Sequence, residues 1–194
     1  SALAQLQRLL EMLEIEPKWA GMIADWIDLD TEARNPDGGE DTLYAGQDPP
    51  YRAPNLMMTS TSELLALAGF GRERYLKLAA YVAALPWNAP LNLCTASGVV
   101  IDSLIPDTQG DFGGGQSPLK QNRERGSFPT VDDLRPAFPD TDSFAAAQDR
   151  IGTKSSYFRL TSIIRIGTSE FALYSLLERE NKLVRPIMRS FAKE

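Results

Sequence analysis

In Tyr157-Phe158-Arg159-Leu160-Thr161-Ser162-Ile163-Ile164-Arg165-Ile166, the apolar Phe158, Leu160, Ile164 and Ile166 alternate with Arg159, Thr161 and Arg165. That two-residue period belongs to a half-buried strand. Gly167-Thr168-Ser169 follows as a turn, and Phe171 to Leu177 is apolar on both faces, as a central strand is. Glu180-Asn181-Lys182 turns the chain again, and Leu183 to Phe191 forms a third strand. Pro186 places this last strand at an edge, because proline cannot donate to a ladder. Three strands in a meander are weakly stable alone, so this sheet has to pack on helices or on further chain.

Upstream of the sheet the period is helical. Leu3, Leu6, Leu9, Leu10 and Leu13 form an apolar stripe over residues 2–14, with Gln5, Arg8 and Glu11 opposite. Pro17 separates this helix from a second at 18–28, built on Trp19, Met22, Ile23, Trp26 and Ile27. Thr61, Ser62 and Glu63 start a helix that runs to about Ala68 and stops at Gly69. Another covers roughly 72–84, with Tyr75, Leu78, Ala79 and Val82 on one face, before Pro86 and Pro90. Thr95-Ala96-Ser97 caps a short helix ending near Leu104. Residues 107–117 read as a Gly-rich loop, and 119–125 and 131–135 as short helical pieces. The expected organisation is a helical domain over 1–153, containing an acidic loop at 25–41, then antiparallel strands over 154–194.

The chain has 194 residues, 43% of them hydrophobic and 24% charged, an ordinary globular composition. One cysteine, Cys94, excludes an internal disulfide, and the absence of histidine removes the usual general base near neutral pH. No apolar run reaches the roughly 20 residues of a membrane helix. The sequence opens at Ser1 without a methionine or a signal peptide, which fits a piece of a longer protein.

Charge is unevenly placed. Residues 25–41 hold seven acids (Asp25, Asp28, Asp30, Glu32, Asp37, Glu40 and Asp41) and one base, Arg34, for a net −6. The last 44 residues carry eight bases and four acids, a net +4. Crowded carboxylates in turn-rich sequence, without His or Cys, make a hard oxygen site suited to Ca²⁺. Asp28-x-Asp30-x-Glu32 begins like an EF-hand, but Ala33 and Gly39 stand where that loop needs Gly and Glu. The spacing leaves open a calcium site and a solvated acidic loop. A glycosidase pair of carboxylates has no other support.

Leu67-Ala68-Gly69-Phe70-Gly71, followed by Arg72, Arg74 and Lys77, has the form of a helix-hairpin-helix. A degenerate second copy runs from Asn92-Leu93-Cys94-Thr95-Ala96 to Arg123-Glu124-Arg125-Gly126-Ser127-Phe128 with Asp133-Leu134. In nucleic-acid-binding versions the hairpin amides cradle a phosphate. Here residues 62–150 contain eleven acids and eight bases, too little positive charge for affinity driven by counterion release. Compact helix packing is the simpler reading, and a nucleic-acid-binding module is the alternative. Cys94 has no histidine to activate it, and Gly113-Gly114-Gly115 lacks the Lys-Ser/Thr of a phosphate loop.

Taken in order, Asp25-Trp26-Ile27-Asp28-Leu29-Asp30, Gly38-Gly39-Glu40-Asp41 with Tyr44, and Asp48-Pro49-Pro50-Tyr51-Arg52-Ala53 with Asn55 resemble one family. Ser62-Glu63-Leu64-Leu65, Leu85-Pro86, the Asn92–Ala96 stretch, and Tyr157-Phe158 leading to Leu173-Tyr174-Ser175-Leu176-Leu177-Glu178-Arg179 complete the pattern. It resembles the K-type minor pseudopilin of bacterial type II secretion (general secretion pathway protein K) across essentially the whole chain. The resemblance implies an α+β fold: a large all-helical domain of helix-hairpin-helix (SAM-like) units inserted in a pseudopilin fold, followed by a small antiparallel β-meander. It implies a non-enzymatic protein at the pseudopilus tip, with I- and J-type minor pseudopilins as partners, assisting protein export across the outer membrane. It implies a periplasmic domain, the N-terminal prepilin helix that anchors such proteins in the inner membrane being absent here, and no nucleic-acid partner. It also implies a structural Ca²⁺ with Asp28, Asp30, Glu40 and Asp41 as ligands, and Asp25 and Asn55 as further candidates. The sequence departs from the family where Cys94 replaces an asparagine, and where 107–117 is Gly- and Asp-rich instead of helical.

Overall fold

A computed structural model describes residues 1–86, 88–108, 110, 112 and 130–191. The chain divides into two compact units, Ser1–Thr153 and Lys154–Glu194.

In the first unit, α1 (Ala2–Met12) starts where the Ser1 hydroxyl accepts the Ala4 amide at 3.3 Å, and it buries Leu9 and Leu10. The chain leaves α1 through Glu14, at φ 55°, and the Ile15 amide returns to the Leu10 carbonyl. Next comes α2 (Trp19–Ile27), buried over seven of its residues rather than along one stripe. The loop around Asp37 to Gly39 explains this, since it lies close over Gly21 and Met22. A single turn, α3 (Asp41–Tyr44), delivers Tyr44 into the core.

Trp19 meets Phe70 edge-on at 5.2 Å, and Trp26 meets Tyr44 at 5.1 Å. Leu10, Leu64, Leu67 and Leu78 fill the space around them. Aromatic pairs of this geometry add to the apolar area they bury.

Residues 61–66 form a 3₁₀ turn rather than an α-helix, capped one residue earlier than the sequence suggested. The Ser60 hydroxyl accepts the Ser62 amide at 3.1 Å, and the Glu63 carboxylate accepts the Ser60 amide at 3.2 Å. Gly69 (φ 80°) and Gly71 (φ 77°) make the hairpin with backbone angles that L side chains rarely adopt. The helix expected over 72–84 is shorter: α4 spans Gly71–Leu78. No breaker occurs before Pro86, so its end is set by packing. Val82, Ala83 and Leu85 run on as wall of a small apolar cavity of about 170 Å³, opposite Leu6, Ile23 and Met57.

A second apolar cluster holds Leu93, Ile101, Leu104, Leu134, Phe138 and Phe144. It is built by α5 (Gly98–Leu104), capped by Ser97, by a 3₁₀ turn at Asp132–Ala137, and by α6 (Thr141–Gln148), capped by Asp140. The unit is not all-helical. β1 (Leu91–Asn92) pairs in parallel with β2 (Ile151–Gly152). The two clusters are tied through α1: Arg8 donates to the carbonyls of Ser103 and Leu104, and Arg150 to Gln5 Oε1 at 2.6 Å. The pieces expected at 119–125 and most of 107–117 lie outside the described residues, as does the Arg123–Phe128 part of the second hairpin copy.

The second unit is an antiparallel sheet in the order β3 (Tyr157–Ile166), β4 (Ser169–Glu180), β5 (Leu183–Ser190). β4 is central, and Pro186 lies on an edge strand beside a register shift at Leu176/Leu177. Pairings such as Phe158↔Leu177 and Ile164↔Phe171 put Phe158, Leu160, Ile164, Phe171, Leu173 and Leu177 on one face. Phe158, Leu160, Ile164 and Phe171 nonetheless remain exposed. Among the described residues no helix is long and apolar enough to cross a membrane.

Candidate metal centre

Three segments converge on the acidic loop. The end of α2 supplies Asp25 and Asp28, the extended chain after it supplies Asp30, and Glu40 stands immediately before α3. Asp28, Asp30 and Glu40 each offer an oxygen, and these oxygens all lie within 4.8 Å of one another. Glu40 is only 5% exposed. Its carboxyl is pushed up first by burial and then by the charges of Asp25, Asp28 and Asp30.

Asn55 closes the group at φ 47°, a left-handed conformation that asparagine tolerates. Its amide nitrogen donates to the Asp30 carbonyl and, at 3.4 Å, to Glu40 Oε2. Four side-chain oxygens at the loop are buried without a hydrogen-bond partner: Asp25 Oδ1, Asp28 Oδ1, Glu40 Oε1 and Asn55 Oδ1. The first of these has an ion pair. The other three border the carboxylate group, where unpartnered acceptors are costly unless a cation or water meets them.

Two of the six candidate ligands, Asp25 and Asp41, stay outside this group of oxygens. Asp25 is fully buried and works as a strut: its Oδ2 accepts the amides of Arg34 (3.0 Å) and Gly39 (2.9 Å), and its Oδ1 lies 3.0 Å from Arg34 Nε. Asp41 turns away, with Oδ1 accepting the Ala53 amide at 3.2 Å and Oδ2 3.8 Å from Arg52 Nε. Asp28, Asp30, Glu40 and Asn55 are the residues brought together.

Two features of the site were not legible beforehand. Arg34 also reaches Asp28 Oδ2, 2.7 Å from Nη2, and this hydrogen bond is the main reason its guanidinium is held more firmly protonated. Gly38 reads as turn material, yet a Cβ there would land on Asp25 Oδ2 and on the Arg34 backbone. The only hint in the sequence is a lone base and two glycines inside an acidic run.

The donor set is all oxygen, carboxylate and amide, without nitrogen or sulfur. Such a set fits Ca²⁺, and backbone carbonyls and water commonly complete its 6–8 ligands.

At the hairpin, Arg74 is already committed. It pairs with both oxygens of Glu16, at 2.7 and 2.6 Å, and its guanidinium lies 5.3 Å from the Trp19 ring centre. Glu16 is held at about 2, chiefly by the hydrogen bond from Arg74. A basic residue that the nucleic-acid alternative would turn towards phosphate instead fastens the Gly69–Gly71 turn to the turn between α1 and α2.

A family model described as "Type II secretion system (T2SS), protein K" matches residues 1–87. Type II secretion system protein K of Pseudomonas aeruginosa is 31% identical over 180 residues, which is 90% of this chain and 52% of that protein. The Aeromonas hydrophila protein of the same description is 33% identical over 192 residues, 91% of this chain and 56% of that protein. A chain of the crystal structure of the GspK-GspI-GspJ complex from the enterotoxigenic Escherichia coli type 2 secretion system superposes with a TM-score of 0.81 at 25% identity. That match covers 100% of this chain and 70% of the other. These matches relate the chain to the type II secretion system protein K family. It spans just over half the length of the curated relatives it matches.

Proposed function

We propose that this chain is the periplasmic part of a membrane-anchored minor pseudopilin that assembles with I- and J-type minor pseudopilins at the tip of the type II pseudopilus. Its role there is non-enzymatic: it forms subunit interfaces in an apparatus that exports proteins across the outer membrane. The observation that carries this reading is the likeness over the whole chain to a member of the GspK-GspI-GspJ complex. The exposed apolar residues of the sheet, among them Phe158, Leu160, Ile163 and Phe171, support it, because such side chains call for a covering surface.

Within this assembly protein the acidic loop is a structural Ca²⁺ site. Asp28, Asp30 and Glu40 supply carboxylate oxygens and Asn55 its amide oxygen. When bound, the ion supplies positive charge and cross-links; no bond-making chemistry is involved. Asp28 follows α2, Glu40 precedes α3, and Asn55 lies in the extended chain beyond, so one ion would join three segments, of which the two that carry carboxylates otherwise repel. Binding only the folded chain, it would stabilise that chain by mass action.

The reading is tested by thermal melts in excess chelator and in millimolar Ca²⁺ or Mg²⁺, with size-exclusion chromatography of the chain mixed with I- and J-type pseudopilin domains. A calcium-selective rise in Tm and a co-eluting complex are expected. Indifference to both ions would remove the metal site, and failure to co-elute would remove the assembly role.

A further inference from the structure

Arg34 is the only base in residues 25–41, and its amide, Nε and Nη2 are all directed at two carboxylates, Asp25 and Asp28. Its amide donates to Asp25 Oδ2, its Nε lies 3.0 Å from Asp25 Oδ1, and its Nη2 lies 2.7 Å from Asp28 Oδ2. The Gly38 amide returns to the Arg34 carbonyl at 2.6 Å, so the loop that carries Gly39 and Glu40 is folded around this one residue. Asp28 is thereby split: Oδ2 faces the guanidinium, while Oδ1 is buried and unpartnered, and the carboxylate has an oxygen within 4.8 Å of oxygens of Asp30 and Glu40.

Asp25, Asp28, Asp30 and Glu40 bring four formal negative charges into one small volume, and among the described residues Arg34 is the base that forms ion pairs with two of them. We infer that Arg34 is a tethered counter-cation: it keeps the acidic loop folded when no metal is bound and competes with the metal for the same field.

This rests on the calcium reading above and adds to it a residue that sets how strongly the ion is needed. Two cations sharing Asp28 repel, so each weakens the hold of the other, and by linkage the coupling is reciprocal. Removing the guanidinium therefore costs the empty protein more than the loaded one, and tightens calcium binding. A residue that merely propped the loop would cost both states equally.

The experiment is a set of thermal melts and calcium titrations of the native chain, Arg34→Gln and Arg34→Lys, each in chelator and in millimolar Ca²⁺. Arg34→Gln should lose several degrees in chelator, recover most of them in calcium, and show a severalfold lower Kd for the ion. Arg34→Lys keeps the charge with a single-point donor. It should stay near the native Tm in chelator and near the native Kd, which keeps the test decisive if the Gln variant is unfolded without metal.

An equal loss for Arg34→Gln in chelator and calcium, or no loss in chelator, overturns the inference. So does a Lys variant that behaves like Gln. A native chain whose melt ignores calcium overturns the metal reading itself, and is recognised without either variant.

Discussion

The two units bury their apolar residues very differently. Ser1–Thr153 closes two cores, with Tyr44, Phe70, Ile101 and Phe144 at 0–1% exposure. In the sheet Lys154–Glu194, the described residue that counts as buried is a serine, Ser175, while Ile163 and Ile166 are 60% and 67% exposed. The helical unit completes its own packing. The sheet satisfies its backbone but not its side chains, as a surface does that is finished by something else.

The largest expected effect lies in the helical core. Phe70→Ala should cost about 3–5 kcal/mol, read by urea unfolding; a loss near zero would mean that the helical unit is not the stable part. Gly38→Ala comes next, at about 1–3 kcal/mol, since its methyl must displace the Asp25 carboxylate or the Arg34 backbone. Its calcium response should fall with its Tm, and an unaltered titration would separate the loop from the site.

Asp28→Ala with Asp30→Ala should lower Tm more in calcium than in chelator, where the lost Arg34 contact is offset by relief of carboxylate repulsion. An equal drop in chelator would remove both residues from the ligand set.

Smaller still is the contribution of the Glu16–Arg74 pair. Arg74 depresses the Glu16 carboxyl from its ordinary 4.5 to about 2. Because the folded value is the lower one, the stabilisation is present above the ordinary value and is lost as pH falls towards 2. The Tm gap between the native chain and Arg74→Ala should therefore narrow over that window while the contact with Trp19 persists. A gap independent of pH would show that the ion pair contributes nothing.

The smallest effect belongs to the sheet. Ile166→Ser should change the stability of the isolated chain by no more than about 0.5 kcal/mol. A loss comparable to that of Phe70→Ala would erase the contrast between the units.

Much of this contrast was legible in the sequence. The alternation at Phe158–Ile166 and the two-sided apolar run before Leu177 gave the strands their places, and Pro186 its edge, because a strand's period is local. The acidic loop 25–41 was legible as a hard oxygen group from residue type alone, and Asp28, Asp30, Glu40 and Asn55 as candidate ligands through family resemblance. What was missed depends on tertiary approach. Nothing local separates the strut Asp25 from the candidate ligand Asp28; the difference is that Arg34 and the Gly39 amide reach one and leave an oxygen of the other free. Nothing local marks the early end of α4 at Leu78, after which Val82 and Leu85 line an apolar cavity. The pairing of Leu91–Asn92 with Ile151–Gly152 is too short to leave a pattern. The α6 helix, Thr141–Gln148, has Phe144 but otherwise only alanines as apolar residues, so its periodicity is faint.

The most direct test is amide hydrogen exchange along the isolated chain, once in chelator and once in millimolar calcium. The account predicts slow exchange around Leu10, Trp19, Phe70 and Phe144 in both conditions, protection of residues 28–55 that rises only with calcium, and faster exchange across 157–190 in both. A sheet as protected as the helical cores, or a 28–55 segment indifferent to calcium, would contradict it.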